Sequence, residues 1–155
     1  MTKLTREIEI DASPDAVYDV LADPTCLGEW VTIQDELEEA PDGDLKAGDT
    51  LRQRMKVAGT KFHLSWTVME ADRPNRIVWE GKGPMGSKAL AVYELHENGD
   101  GKTRFTYLNE YAMPGGPAGK LAGRAILKAS GREADRTLER LKELVERRRS
   151  QAAKA

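Results

Sequence analysis

One segment constrains this chain more than any other. From Pro117 to Arg148 it reads as a single long helix with one face that has to be buried. Gly116-Pro117 suits its start, because proline at the first helical position gives up an N–H that would be unbonded anyway. Leu127, Ala134, Leu138, Leu141 and Val145 fall at helical spacing on one stripe, with Arg132, Arg136 and Arg140 on one flank and Glu139, Glu143 and Glu146 on the other. The stripe is bulky in its C-terminal half and small in its N-terminal half: Ala118, Gly119, Ala122, Gly123, Ala125, Ala129, Ser130 and Gly131. A glycine inside a helix costs about 1 kcal/mol against alanine, so several together need a reason. Close approach to a neighbouring backbone is one, and room left for something other than protein is another.

The rest of the chain must supply the surface that this helix covers. Residues 3–11 alternate, with Leu4, Ile8 and Ile10 on one side, as an opening strand. Ser13-Pro14-Asp15 then signals a helix start, with serine as cap and a carboxylate at the positive end of the dipole. Asp23-Pro24 ends that helix, and Thr25 caps a second short one that reaches Trp30. Between Val31 and Met113 the apolar period drops from 3.6 to 2. Strands are predicted at Val31–Glu38, Thr50–Val57, Phe62–Asp72, Arg76–Gly81, Ala89–Glu97 and Lys102–Met113, separated by Gly, Pro, Asn and Asp turns. Links this short make antiparallel neighbours. The expectation is an α+β domain over residues 1–150: a curved antiparallel sheet of about seven strands, two short helices after the first strand, and the long helix packed across the sheet. Residues 151–155 read as a frayed tail.

Charge and cysteine content narrow the function classes. Lys and Arg total 24 against 26 Asp and Glu, which leaves no electrostatic footprint for nucleic acid or an anionic membrane surface. The single Cys26 has no internal partner, as in reducing compartments. No apolar run reads as a leader or a membrane span. A soluble, cytoplasmic protein is expected, and monomer is the simpler assembly.

Three stretches carry a resemblance. They are Ser13-Pro14-Asp15-Ala16-Val17-Tyr18-Asp19-Val20-Leu21-Ala22-Asp23-Pro24 leading to Trp30, Val68…Pro74…Ile77-Val78-Trp79, and Thr103-Arg104-Phe105-Thr106-Tyr107…Tyr111-Ala112-Met113-Pro114-Gly115-Gly116 with Leu138…Leu141 behind it. Together they resemble the polyketide cyclase/dehydrase and lipid-transport superfamily, the START-like, birch-pollen-allergen-like helix-grip fold. The resemblance spans nearly the whole chain and implies a deep cavity between sheet and C-terminal helix. That cavity would give Gly123, Ala129 and Gly131 a purpose.

Alternation then selects the cavity residues. Phe105, Tyr107, Asn109, Tyr111 and Met113 share one face of the last strand, placing two phenols and an amide inward. They read either as a satisfied buried network or as groups that orient a ligand in an apolar pocket. Met55, Phe62, Leu64, Trp66 and Tyr93 join them from neighbouring strands, Trp30 from the helix pair, and Gly123 and Leu127 from the long helix. Gln53 is a weaker candidate, and Trp79 reads as core. Arg54 and Arg124 are the best cations near the site, though each reads more readily as a surface residue.

Gly81-Lys82-Gly83-Pro84-Met85-Gly86 spells G-x-G-x-x-G, but a strand rather than a helix follows. No helix N-terminus can then meet a pyrophosphate. The segment reads as a cavity rim with Met85 as an apolar lid contact. His63 and His96 should face solvent, with no ligand set near either, so no metal and no cofactor is expected. The favoured reading is a binder of a small hydrophobic ligand, whether polyketide-, lipid- or aromatic-like. One alternative is a cyclase or aromatase-type enzyme that uses the pocket phenols, although no residue matches a diagnostic catalytic motif. Another is a protein-interaction module of the chaperone-activator type, which would need an apolar outer sheet face.

Overall fold

The computed structural model describes residues 2–57, 59–112 and 116–154. Strand β1 (Thr2–Ile10) leads to helix α1 (Pro14–Leu21), a 3-10 turn at Pro24–Cys26 and the one-turn helix α2 (Leu27–Trp30). Six strands follow: β2 (Gln34–Glu39), β3 (Thr50–Val57), β4 (Thr60–Asp72), β5 (Arg76–Lys82), β6 (Lys88–Asn98) and β7 (Lys102–Ala112). The long helix α3 (Gly116–Lys154) closes the chain. The seven strands form one antiparallel sheet in the order β1-β7-β6-β5-β4-β3-β2. The α1–α2 segment therefore carries the chain from one edge of the sheet to the other, and β1 returns beside the last strand. This is the helix-grip architecture.

Local chemistry explains most boundaries. The Ser13 side chain accepts from the Ala16 N–H at 3.2 Å, and Pro14 and Asp15 follow as read from the sequence. At the next turn the cap is Asp23, not Thr25: its carboxylate accepts from both the N–H and the hydroxyl of Thr25. Those two bonds are also the main cause holding its carboxyl below the usual range. Strand β4 pairs with β3 from Thr60 rather than Phe62, because Gly59 at φ +82° makes the hairpin tight. Strand β2 begins at Gln34 rather than Val31, which leaves residues 31–33 as a connection. Helix α3 runs past Arg148 and takes in residues 151–154, read from sequence as a tail.

The G-x-G-x-x-G stretch is explained by packing. Gly81 pairs across from Trp66, and a Cβ there would sit 2.8 Å from two atoms of the indole ring. A Cβ at Gly83 would meet Ser87 Oγ at 2.6 Å. After a single 3-10 turn at Pro84–Gly86 the chain enters β6, so no phosphate-binding helix exists there. Met85 is 89% exposed.

The concave face of the sheet carries the core: Leu51, Leu64, Val68, Ile77, Leu95 and Phe105 are buried, as are Leu138, Leu141, Leu144 and Val145 of α3. The helix lies along β1 and α2. Arg6 projects from the inner side of β1 to Asp135 at 2.8 Å, and a Cβ at Gly131 would stand 3.2 Å from its guanidinium and 4.0 Å from Leu4. At Gly131, then, the small residue serves close approach to β1 rather than a void. The side chains of Gly123, Leu127 and Ala129 lie outside the described residues.

Candidate functional site

Two small chambers open between the sheet and the helices. The first, of about 50 Å³, is lined from β3 to β6 by Leu51, Gln53, Met55, Trp66, Trp79, Ala91 and Tyr93, with Leu27 opposite. The second, of about 40 Å³, lies toward β1 and α3, against Leu4, Trp30, Glu133, Ala134 and Thr137. Val31, Ile33, Tyr93, Tyr107, Asn109 and Tyr111 line both. They form the partition, three positions of β7 on one side and the connection after α2 on the other.

Strand alternation brings the β7 groups together. The Asn109 side-chain N–H₂ donates to the Tyr107 hydroxyl at 2.8 Å and to the Tyr111 hydroxyl at 3.3 Å. Each phenol thus accepts from the amide and keeps its own proton free to donate. Asn109 is 5% exposed, and its Oδ1 has no hydrogen-bond partner among the described residues. Burial is the main cause pushing all three phenols, Tyr93, Tyr107 and Tyr111, above their ordinary range, most strongly at Tyr107, so they stay protonated donors at neutral pH.

Aromatic packing fixes these groups. Tyr93 stacks on Tyr107 at 5.8 Å between centroids and meets Trp30, Trp79 and Phe105 edge-on. Trp66 donates its indole N–H to Gln53 Oε1 at 2.8 Å, and Gln53 donates in turn to Gln34. The indole N–H groups of Trp30 and Trp79 are buried without a partner among the described residues. The partition loop is tied to α3 through Thr32. Its N–H donates to Thr137 Oγ1 at 3.1 Å, and its hydroxyl donates to the Glu133 carbonyl at 3.2 Å.

Of the residues expected at the cavity, Trp30, Met55, Trp66, Tyr93, Tyr107, Asn109 and Tyr111 line one or both chambers. Phe105 faces inward but is consumed by the core at 0% exposure, and Leu64 is buried beside Gly83. Neither they nor Phe62 line either chamber, because alternation fixes the face of a strand and not the depth along it. Met85 points to solvent away from both. Met113 lies outside the described residues, as do the side chains of Gly123 and Leu127.

Trp79, read as core, is buried and also lines the first chamber. Sequence reasoning missed Val31, Ile33, Glu133 and Thr137. The last two stand four residues apart, with Ala134 of the apolar stripe between them, and that spacing on one helix face was the available signal. Arg54 is on the outer face, paired with Asp35 and Glu36, and Arg124 is exposed. His63 and His96 are exposed, near Glu38 and Glu94. Among the described residues no group of three or more His, Cys, Asp or Glu is placed to hold a metal, and no helix is long and apolar enough to cross a membrane.

Known proteins place this architecture. The chain is 25% identical over 135 residues to Toxin Rv0910 of Mycobacterium tuberculosis, which covers 86% of this chain and 92% of that protein. It is similar in fold to the Zhui aromatase/cyclase of Streptomyces sp. R1128, with a TM-score of 0.79 at 16% identity over 95% of this chain and 94% of that one. It is also similar to the Aha1 dimer from Colwellia psychrerythraea, with a TM-score of 0.64 at 17% identity over 94% and 97% of the two chains. At such identities the structural likeness is one of fold. The sequence pattern described as polyketide cyclase/dehydrase and lipid transport matches residues 1–146, nearly the full length, and the chain belongs to that family.

Proposed function

We propose that residues 1–150 form one unit that binds a small hydrophobic ligand, polyketide-, lipid- or aromatic-like, between the sheet and α3 as a cytoplasmic protein. The observation that carries this reading is the Tyr107–Asn109–Tyr111 ladder. Among the described residues the amide oxygen has no partner, and each phenol accepts from the amide with its proton left to donate, in an aromatic-walled space. Buried polar groups are ordinarily satisfied within the protein. A ligand hydroxyl or carbonyl would satisfy these, with the aromatic walls covering its rings.

Ligand pockets for drug-sized molecules run to about 300–1,000 Å³, far above either chamber. Binding therefore requires the chambers to merge, and the Val31–Ile33 connection that divides them hangs on the Thr32–Thr137 bonds. Native mass spectrometry of freshly purified protein should show a retained small molecule, and neutral N-phenylnaphthylamine should bind saturably. A protein that carries nothing and binds no such probe is not a ligand carrier.

Family membership and the fold of the Zhui aromatase/cyclase favour a second reading, in which the same phenols protonate an enolising polyketide. Tyr107→Phe separates the two. Changed turnover or product distribution at unchanged affinity marks an enzyme, and weakened affinity alone marks a binder.

A further inference from the structure

We infer that Glu133 makes the cavity selective for charge, so that it takes neutral or cationic hydrophobic ligands and rejects anionic ones such as a free fatty-acid carboxylate. The inference rests on the ligand-binding reading above and names the ligand class of the same site.

Three observations carry it. Glu133 lines the second chamber together with Ala134 and Thr137, beside Tyr107, Asn109 and Tyr111. Its backbone is held at the chamber, because its main-chain carbonyl accepts from the Thr32 hydroxyl and Thr32 also bonds Thr137. Its carboxylate is poorly neutralised. Among the described residues its ion pair is with Arg136 at 3.6 Å, a helix neighbour whose side chain is 75% exposed. A pair so solvated contributes little. Arg6, the nearest cation on the inner side of β1, is taken by Asp135 at 2.8 Å.

Among the described residues lining the two chambers, Glu133 is the one acidic side chain, and none is Lys, Arg or His. The other polar wall groups are neutral: phenols, amides, indoles and the Thr137 hydroxyl. An anion entering would leave water for a space whose described lining residues offer no cation and beside which the Glu133 carboxylate stands, and both effects oppose it. A neutral hydroxyl or carbonyl meets the phenolic donors without that cost, and a cationic group gains from the carboxylate.

Two probes test this directly. N-phenylnaphthylamine and anilinonaphthalenesulfonate share a ring system and differ by one sulfonate. Each is titrated into the wild type, Glu133→Gln and Arg136→Gln at neutral pH and low salt. The wild type should bind the neutral probe more tightly by on the order of tenfold. Glu133→Gln should close most of that gap by tightening the sulfonate relative to the neutral probe. Arg136→Gln, which leaves the carboxylate in place and strips its partner, should widen the gap. The inference is overturned if the ratio is the same in the wild type and Glu133→Gln, or if the sulfonate is preferred by the wild type. Failure of the wild type to bind either probe instead sinks the ligand-binding reading and takes this inference with it.

Discussion

Replacing Gly81 by alanine tests whether the β4–β5 pairing positions the cavity wall. Gly81 sits opposite Trp66, and the added Cβ would lie 2.8 Å from both Cε3 and Cζ3 of the indole. Ordinary contacts start more than half an ångström further out, so either the ring or the strand has to move. The ring is not free to do so. It is 7% exposed, its N–H is bonded to Gln53 at 2.8 Å, and its edge meets Trp79 at 6.3 Å.

Overpacking of this kind costs about 1–3 kcal/mol, and losing the indole bond adds about 0.5–1.5 kcal/mol. Against this stands a gain of about 0.5–1 kcal/mol from removing a glycine inside a strand. The net is a loss of about 1–3 kcal/mol, and each kcal/mol lowers Tm by about 2–4 °C in a chain of this size. Thermal and urea denaturation followed by near-ultraviolet circular dichroism measures both the loss and the displaced indole. A variant as stable as the parent, with an unchanged aromatic spectrum, would refute the packing account of this glycine.

Two further outcomes follow from the same geometry. Thr137→Val removes the hydroxyl that accepts from the Thr32 N–H and leaves that donor unpaired, at a cost of about 1–3 kcal/mol by urea denaturation. A neutral result would mean that the partition loop is not held by this contact. Alkaline pH should destabilise the fold through Tyr93, Tyr107 and Tyr111, whose folded values are raised above the ordinary 10.0. Because the native state holds these protons longer than the unfolded chain, their contribution is whole below pH 10 and declines above it, by about 1.4 kcal/mol per pH unit for each phenol. Tyr107→Phe should flatten that alkaline limb by one proton's worth; an unchanged slope would show that Tyr107 titrates normally.

The sheet was legible because most strands alternate and the breaks carry their own turn chemistry; β2, with two register shifts and no alternation, is the exception. The strand that follows Gly86 was legible in the same way. What alternation cannot supply is depth. It put Phe62, Leu64 and Phe105 on the correct face, but which end of a curved sheet is filled by helices and which is left open depends on where α3 crosses. That crossing is set by contacts such as Arg6 with Asp135, which no periodicity announces. The same gap explains Gly131, read with its small neighbours as space for a ligand and found against β1. Glu133 drew no notice in the sequence, although Ala134 and Thr137 beside it line the same chamber.

Asn109 shows why the cavity floor reads as a functional feature rather than as core. Its Cα partners are Ala91 on β6 and Leu4 on β1, small or apolar neighbours that would accept a leucine of similar volume. The amide instead buries an oxygen without a partner among the described residues, which typically costs about 1–3 kcal/mol. Asn109→Leu removes that penalty and gives up two hydrogen bonds to phenols that can turn to water or to each other. Stability should therefore change by less than about 1 kcal/mol, since replacing a half-satisfied polar group by an apolar one of the same shape is close to neutral. Binding of a neutral hydroxylated aromatic such as naphthol should weaken by the worth of one hydrogen bond, about 0.5–1.5 kcal/mol, while binding of naphthalene holds. Urea denaturation and calorimetric titration on the same preparation read both quantities. If the variant instead loses several kcal/mol of stability and keeps its preference for naphthol over naphthalene, the amide braces the two tyrosines and the ligand takes no part in its selection.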